Sequence, residues 1–438
     1  MPVDGTPSDE TGAPSPEHEE RRTAAGVRGH LADLTPLRTS RDFRRLFIGR
    51  SISELGDGIV WVVVPYQVYS ITGSSLAVGL LGLCALVPVF VFPIVGGAFA
   101  DALERRRLVI WSSAFQALMS FLMAVNASLD HPRLWPLYVF ATLSAGMYTF
   151  NRPATSTWPA RLVEPELLPS ANALEFGFST AVGMVGPVLG GFLLVLIHPL
   201  GAFAFDVVTF LVAIVFVWRM APSPPAHDAP EVSWSAVVDG FRFLNGKRTI
   251  QSVFAIDLNA MIFGFPEALF PAMAVRLGGG TGAGVLGLLY AAPAAGAFVA
   301  TAFSGRAKHV RRQGLVIMGA VVVWGVAIVV FGLSTWLWLS LVMLAVAGMG
   351  DMVSGIFRTT ILQAAVADSM RGRLDGIGMA VWATGPALGE VESGVVASIS
   401  GSVPFSVVLG GVLCIAGVGV LRLMVPSFAR YDATNPRP

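Results

Sequence analysis

The feature that most restricts this chain is a repeated one. Apolar runs of about twenty residues, separated by short polar breaks, follow one another from residue 44 to residue 424. Wound as a helix at ~1.5 Å per residue, such a run matches the ~30 Å hydrocarbon layer of a bilayer. Composition agrees: 54% of the 438 residues are hydrophobic, 13% are charged, and mean hydropathy is +0.69. Soluble domains carry roughly 25% charged residues. The chain is therefore expected to be an all-α polytopic membrane protein. A net charge of +1 makes no case for nucleic acid. Cys84 and Cys414 both sit inside apolar runs and imply no disulfide framework.

The runs divide into two sets of six, giving twelve expected transmembrane helices. The first set is read at 44–70, 75–100, 107–127, 134–158, 171–197 and 200–219, the second at 250–275, 282–304, 314–333, 336–360, 374–399 and 403–424. This sets the expected organisation: a disordered cytoplasmic tail (1–40), a six-helix bundle (41–220), a linker (221–248), a second bundle (249–425) and a short cytoplasmic tail (426–438). The first tail is rich in Pro, Glu, Ser and Thr and lacks the apolar core of a signal peptide. The linker begins Pro-rich, then places Trp234, Val237, Val238, Phe241 and Leu244 on one helical face, as an amphipathic helix lying on the membrane would.

Arginines set the orientation. Arg105, Arg106 and Arg107, then Arg242, Lys247 and Arg248, then Arg306, Lys308, Arg311 and Arg312, and finally Arg371 and Arg373 all fall in breaks on one side; only Arg133 and Arg276 fall on the other. The excess of basic residues in cytoplasmic loops places both termini in the cytoplasm, in a cell (inner or plasma) membrane. The two sets also echo each other at an offset of about 200 residues: Asp57 with Asp257, FADALERRRLV with FSGRAKHVRRQGLV, GPVLGG (186–191) with GPALGE (385–390), and Arg152 with Arg358. Six spans per repeat put both repeats the same way up.

The break after the second span, Gly96 and Gly97 followed by Asp101, Glu104 and Arg105–Arg107, resembles the loop 2–3 signature of the major facilitator superfamily, with Glu104 where Gly is frequent. The segments LGDGIVWVVVP, NRPATSTWPARLVEPELLPSANAL, FDVVTFL and RTTILQAAVADSMRGRLDGI resemble the branch that holds enterobactin exporters and macrolide efflux proteins, over nearly all of 41–425. That resemblance implies the major facilitator fold, two six-helix pseudo-repeats around a central cavity. It implies a cytoplasmic gate at Gly97, Asp101, Arg105 and Arg106, with Arg152 and Arg358 near the inner ends of their spans and Glu164 and Glu166 as partners for the arginines. GMVGPVLGGFLL resembles the antiporter signature of span 5. Gly186, Gly190 and Gly191 there permit close packing, and Pro187 removes a backbone donor.

Ionisable residues inside spans are costly and so are candidates for function. Glu54 and Asp57 share a face of span 1 with Trp61. Asp257, Glu267 and Glu390 complete the expected proton-coupling set; Trp61, Met261, Asp351 and Trp382 are read as lining the substrate cavity. On a continuous helix Asp257 and Glu267 stand about 80° apart, and Glu390 and Glu392 about 200°. Asp206, near the outer end of span 6, is read as structural. No P-loop, GxSxG, CxxC or metal-spaced histidines occur, so no enzyme, cofactor or metal is expected. The expected activity is secondary export of an amphipathic small molecule, drug-like or siderophore, by proton antiport with alternating access. A monomer is the default for the architecture. The embedded acids favour a cationic or neutral substrate, whereas an anionic catecholate would need Arg152, Arg358 or the aromatic faces of Trp61, Trp158 and Trp382. Two alternatives stand beside this: a non-transporting sensor or assembly partner on the same scaffold, and an uptake permease.

Overall fold

The computed structural model describes residues 33–102, 104–222, 246–302, 310–365 and 368–432, without the side chains of 93–98, 100–102, 153, 154, 156, 368–373, 375 and 376. The first tail and the amphipathic linker segment lie outside the described residues. Those described are helical, with no strand among them. In chain order the helices are α1 (Thr35–Thr39), α2 (Arg41–Thr72), α3 (Ser75–Ala102), α4 (Arg105–Ala127), α5 (Trp135–Ser156), α6 (Pro159–Leu162), α7 (Leu168–Trp218), α8 (Arg248–Phe263), α9 (Phe270–Gly278), α10 (Ala283–Ala302), α11 (Gln313–Leu333), α12 (Leu337–Ala365), α13 (Asp368–Ser400), α14 (Val403–Met424) and α15 (Pro426–Ala429).

Local chemistry explains the ends. Ser40 caps α2 by accepting from the Phe43 N–H at 3.1 Å. Gly73, at φ +64°, closes the same helix in the left-handed region where a Cβ is disfavoured. The 51 residues of α7 would reach about 77 Å as one helix, over twice the hydrocarbon thickness. They are bent at His198 (φ +57°, ψ 177°), immediately before Pro199, where the sequence reading divides two spans. Eight described helical stretches are long and apolar enough to cross a bilayer. Helices α2, α5 and α13 are as long but more polar, so the expected count of twelve depends on these three crossing as well. Exposed Trp135, Trp336 and Trp338 lie at the arginine-poor ends of their helices and Trp218 at the arginine-rich end, the positions of interfacial aromatic belts.

Within the first half α2 packs along α7, α3 against α5, and α4 against α7; within the second, α11 packs on α12 and α14, α10 on α12, and α8 on α13. Among the described residues, packing between the halves is concentrated in two seams, α3 with α13 and α7 with α10. Both lie toward the arginine-poor end. A Cβ on Gly191 would sit 2.9 Å from the Gly287 Cα, and one on Gly287 would collide with the Pro187 carbonyl. In the other seam, a Cβ on Gly82 would meet the Ala387 Cα at 3.1 Å and collide with the Glu390 carboxylate. Small residues let the helix backbones touch, as lipid-immersed packing requires.

The seventh span departs from the continuous helix expected. Helix α8 stops at Phe263, a 3-10 turn covers Glu267–Leu269, and α9 resumes at Phe270. Pro266 has no N–H to give and restricts the residue before it. The freed Gly264 carbonyl accepts from the Trp324 indole at 2.8 Å, since no water is at hand in a bilayer core. The 80° relation between Asp257 and Glu267 therefore does not apply.

Candidate functional site

Three polar clusters sit inside the helical bundle. In the second half, Arg358 of α12 is buried with its guanidinium 2.5 Å from the Asp257 carboxylate on α8 and 3.5 Å from that of Asp351, two turns earlier on its own helix. The Asp257 and Arg358 side chains are 8% and 7% exposed, but Asp351 is 42% exposed. A half-open carboxylate at mid-span cannot face lipid without large cost, so Asp351 marks the water-accessible gap between the halves. Helix α13, which carries exposed Trp382, packs on α8 beside this cluster. Arg358, expected at a gate, is thus joined to residues read separately as coupling and cavity groups.

The second cluster is at the seams. Glu390 of α13 lies against Gly82 of α3, and the 3-10 turn that begins at Glu267, in the span 7 break, packs on the same α3 and on α13. The Tyr290 hydroxyl of α10 donates to the Glu267 backbone carbonyl at 3.4 Å. Glu390 and the turn that carries Glu267 therefore both meet α3 of the first half. A cavity of about 50 Å³ behind the break is lined by Gly264, Pro266, Glu267, Trp324 and Asp351. It joins this cluster to the ion-paired one.

In the first half, Arg50 pairs with Glu54 at 3.2 Å and with Glu175 of α7 at 3.4 Å. Asp57 is half-buried and close enough to Glu54 and Asp206 to feel their charge. Asp206 is 1% exposed, accepts from Ser120 of α4 at 2.5 Å and from Thr209 at 3.4 Å, and lies against Gly56. These contacts tie α2, α4 and α7 together.

Other expected residues are distributed as follows. Gly97 and Asp101 fall in the last turns of α3. Arg105 is buried, Arg106 half-buried, and Arg107 pairs with Glu104 at 3.1 Å. Arg152 is exposed near the end of α5. In the antiporter-like helix, a Cβ on Gly186 would sit 2.9 Å from the Gly58 Cα and one on Gly190 2.8 Å from the Ile59 carbonyl oxygen, both on α2. Gly191 and the Pro187 carbonyl face α10 instead. Met261 is half-buried with its side chain against Gly385 in the α8–α13 contact. Trp158 offers no face to a ligand: it is wholly buried among Leu46, Val109, Val217 and Met220. Glu392 is half-buried.

Residue-by-residue reading missed Gly82, Gly287, Tyr290, Glu175 and Trp324. The glycines had a signal, since GLLG (79–82) and GVLG (284–287) form another match between the repeats. The others become visible only when separate helices meet.

Comparison with known proteins adds the family. A family model described as transmembrane secretion effector matches residues 31–437. The enterobactin exporter EntS of Citrobacter koseri is 28% identical over 409 residues, covering 93% of this chain and 97% of the relative. EntS of Shigella boydii is 27% identical over 407 residues, covering 93% and 97%. A bacterial homologue of the human lysosomal transporter Spinster, solved inward-facing and unoccupied, superposes with a TM-score of 0.66 at 15% identity, over 89% of this chain and 95% of that one. The nucleoside transporter NupG gives 0.65 at 14% identity, over 89% and 98%. The helical fold and these matches agree: the chain belongs to the transmembrane secretion effector family and is a multi-pass membrane transporter of the major facilitator fold.

Proposed function

We propose that the chain is a secondary active exporter of an amphipathic small molecule of the siderophore type, driven by proton entry through alternating access. The arginine-rich end is the cytoplasmic one, by the positive-inside argument, and the membrane is the inner or plasma membrane. The observation that carries the reading is the pair of acids, Glu267 and Glu390, half-buried where the halves meet, both against α3.

The repeat sharpens this. Glu390 ends GPALGE as Gly191 ends GPVLGG, and each faces the second glycine of a GxxG pair, Gly82 or Gly287. One seam is closed by glycine on glycine; the other sets a half-buried acid against glycine. An ionised carboxylate loses its water when the seam shuts, whereas a protonated one escapes that cost. Proton occupancy and closure of the outer end are thereby linked. Alternating access requires that linkage. Asp57, beside Asp206 and Glu54, is the second coupling candidate. Relatives named as enterobactin exporters support both the substrate type and the direction.

The test uses liposomes with an acidic, dye-loaded lumen and enterobactin, erythromycin or a cationic dye added outside. Substrate-dependent proton release is expected for at least one of these, reduced tenfold or more by Glu390→Gln and also recorded for Asp57→Asn. Release unchanged in both variants overturns the assignment of coupling to these acids. Absence of release across the panel, with folded protein, overturns proton antiport.

A further inference from the structure

At the arginine-rich end of the first half, a cavity of about 540 Å³ lies between the α1–α2 corner and the connection from α5 to α7. Arg41 and Arg45 stand on one wall and Arg161 on the other, with Asp42 and Glu164 beside them. Both walls fall where the spans read at 44–70 and 134–158 leave the apolar layer. Arg45 donates to the Arg219 carbonyl at 2.6 Å, and the residue before Arg219 is Trp218, exposed in its interfacial position. The cavity therefore sits at the depth of the lipid headgroups.

The walls are braced before anything binds. One Asp42 oxygen accepts from Arg45 at 3.0 Å and the other from the Ala221 N–H at 3.1 Å. Asp33, just ahead of α1, accepts from Ser170 of α7 at 2.9 Å. On the far wall Leu162 packs against the buried cluster of Trp158, Leu46 and Val109. A site held in this way loses little freedom when it takes a ligand. Its charge is positive in sum, three guanidiniums against two carboxylates. Asp42 is engaged by internal partners, and Arg41 is exposed without an ion pair among the described residues.

We propose that this cavity holds the phosphodiester headgroup of an anionic phospholipid of the surrounding bilayer. Its volume falls within the ~300–1,000 Å³ of small-molecule sites, room for a phosphoglycerol headgroup rather than a bare ion. Guanidiniums from two walls suit the unesterified oxygens of a phosphodiester, which they meet with paired N–H donors. Half-buried Leu162 and Val163 offer apolar surface to the glycerol and the first chain carbons. A bound lipid joins the start of span 1 to the connection between spans 4 and 5. The site does not depend on what the chain transports.

Native mass spectrometry tests this on the full chain, released from phosphatidylcholine nanodiscs doped with phosphatidylglycerol below saturation. Phosphatidylglycerol is expected to stay bound about fivefold or more above its share of the bilayer. Arg41→Gln and Arg161→Gln should each lower its occupancy about fivefold, the contribution of one basic side chain at an anionic surface, and Arg41→Lys should keep most of it. Arg44→Gln removes an exposed arginine of α2 that does not line the cavity, and should leave occupancy unchanged. An equal loss in Arg44→Gln overturns the cavity as the site and leaves only a general attraction to basic loops. Retention of the two lipids in proportion to the bilayer overturns the charge selection. Thermal unfolding in detergent separates the sources of phosphate. Dioctanoyl phosphatidylglycerol is expected to raise the midpoint of the unaltered chain and not that of Arg41→Gln. A shift of the same size from glycerol 3-phosphate, which has no acyl chains, overturns the lipid and assigns the cavity to a soluble phosphate.

Discussion

Arg358 shows how one residue's role depends on what is brought to it. The sequence places it seven residues after Asp351, two turns along the same face of α12, and that much is readable from helical period alone. Its ion pair with Asp257 is not readable, because it joins α12 to α8 across about a hundred residues of chain. With both side chains nearly inaccessible, removing one partner strands a charge in low dielectric. Arg358→Leu should therefore destabilise the protein by about 3–5 kcal/mol. Thermal unfolding in detergent checks this, and Arg358→Leu combined with Asp257→Leu is expected to recover most of the loss. If the double variant unfolds as early as the single one, the pairing is not the cause.

At the scale of elements, the seams and the span 7 break were only partly legible. A hydropathy window registers how apolar residues 250–275 are, and does not register that Gly264 and Pro266 interrupt them. The structure closes the break with the Trp324 indole, a partner supplied by α11. The seams obey the opposite rule: their glycines repeat visibly in the sequence, but which helix meets which is a tertiary matter. A Cβ on Gly284 of α10 would lie 3.6 Å from Val195 Cγ2 of α7, ordinary contact and close to disulfide reach. Val195→Cys with Gly284→Cys, in a Cys84→Ala and Cys414→Ala background, is expected to cross-link under mild oxidation. The bond should stop transport and reduction should restore it. A pair that stays reduced under oxidant would contradict the α7–α10 seam.

For the whole molecule, the charge asymmetry of the loops makes the clearest prediction. Gly280, in the turn between α9 and α10, and Arg106, at the start of α4, lie at opposite ends of the bundle. With Cys84 and Cys414 again replaced by Ala, Gly280→Cys should react with a membrane-impermeant maleimide on intact cells, and Arg106→Cys only after permeabilisation. The reverse pattern would invert the topology and, with it, the export direction. The closed seams lie at the Gly280 end and half-open Asp351 marks the gap between the halves, so the same labelling also identifies which side this conformation serves.

The sequence by itself determined the solvent, the class of fold and the repeat. Apolar runs of bilayer length and charge confined to their breaks are one-dimensional properties, and burial in lipid leaves helices little alternative. It also marked Asp57, Asp257, Glu267, Asp351 and Glu390, because an acid inside an apolar run is conspicuous wherever the run ends up. The tertiary structure alone decided their partners: Asp257 with Arg358, Glu390 against Gly82, the Glu267 turn against α3, and Trp158 hidden rather than displayed. Helical period says which residues share a face. The rotation and crossing of each helix, set by side-chain packing along its whole length, say what that face meets.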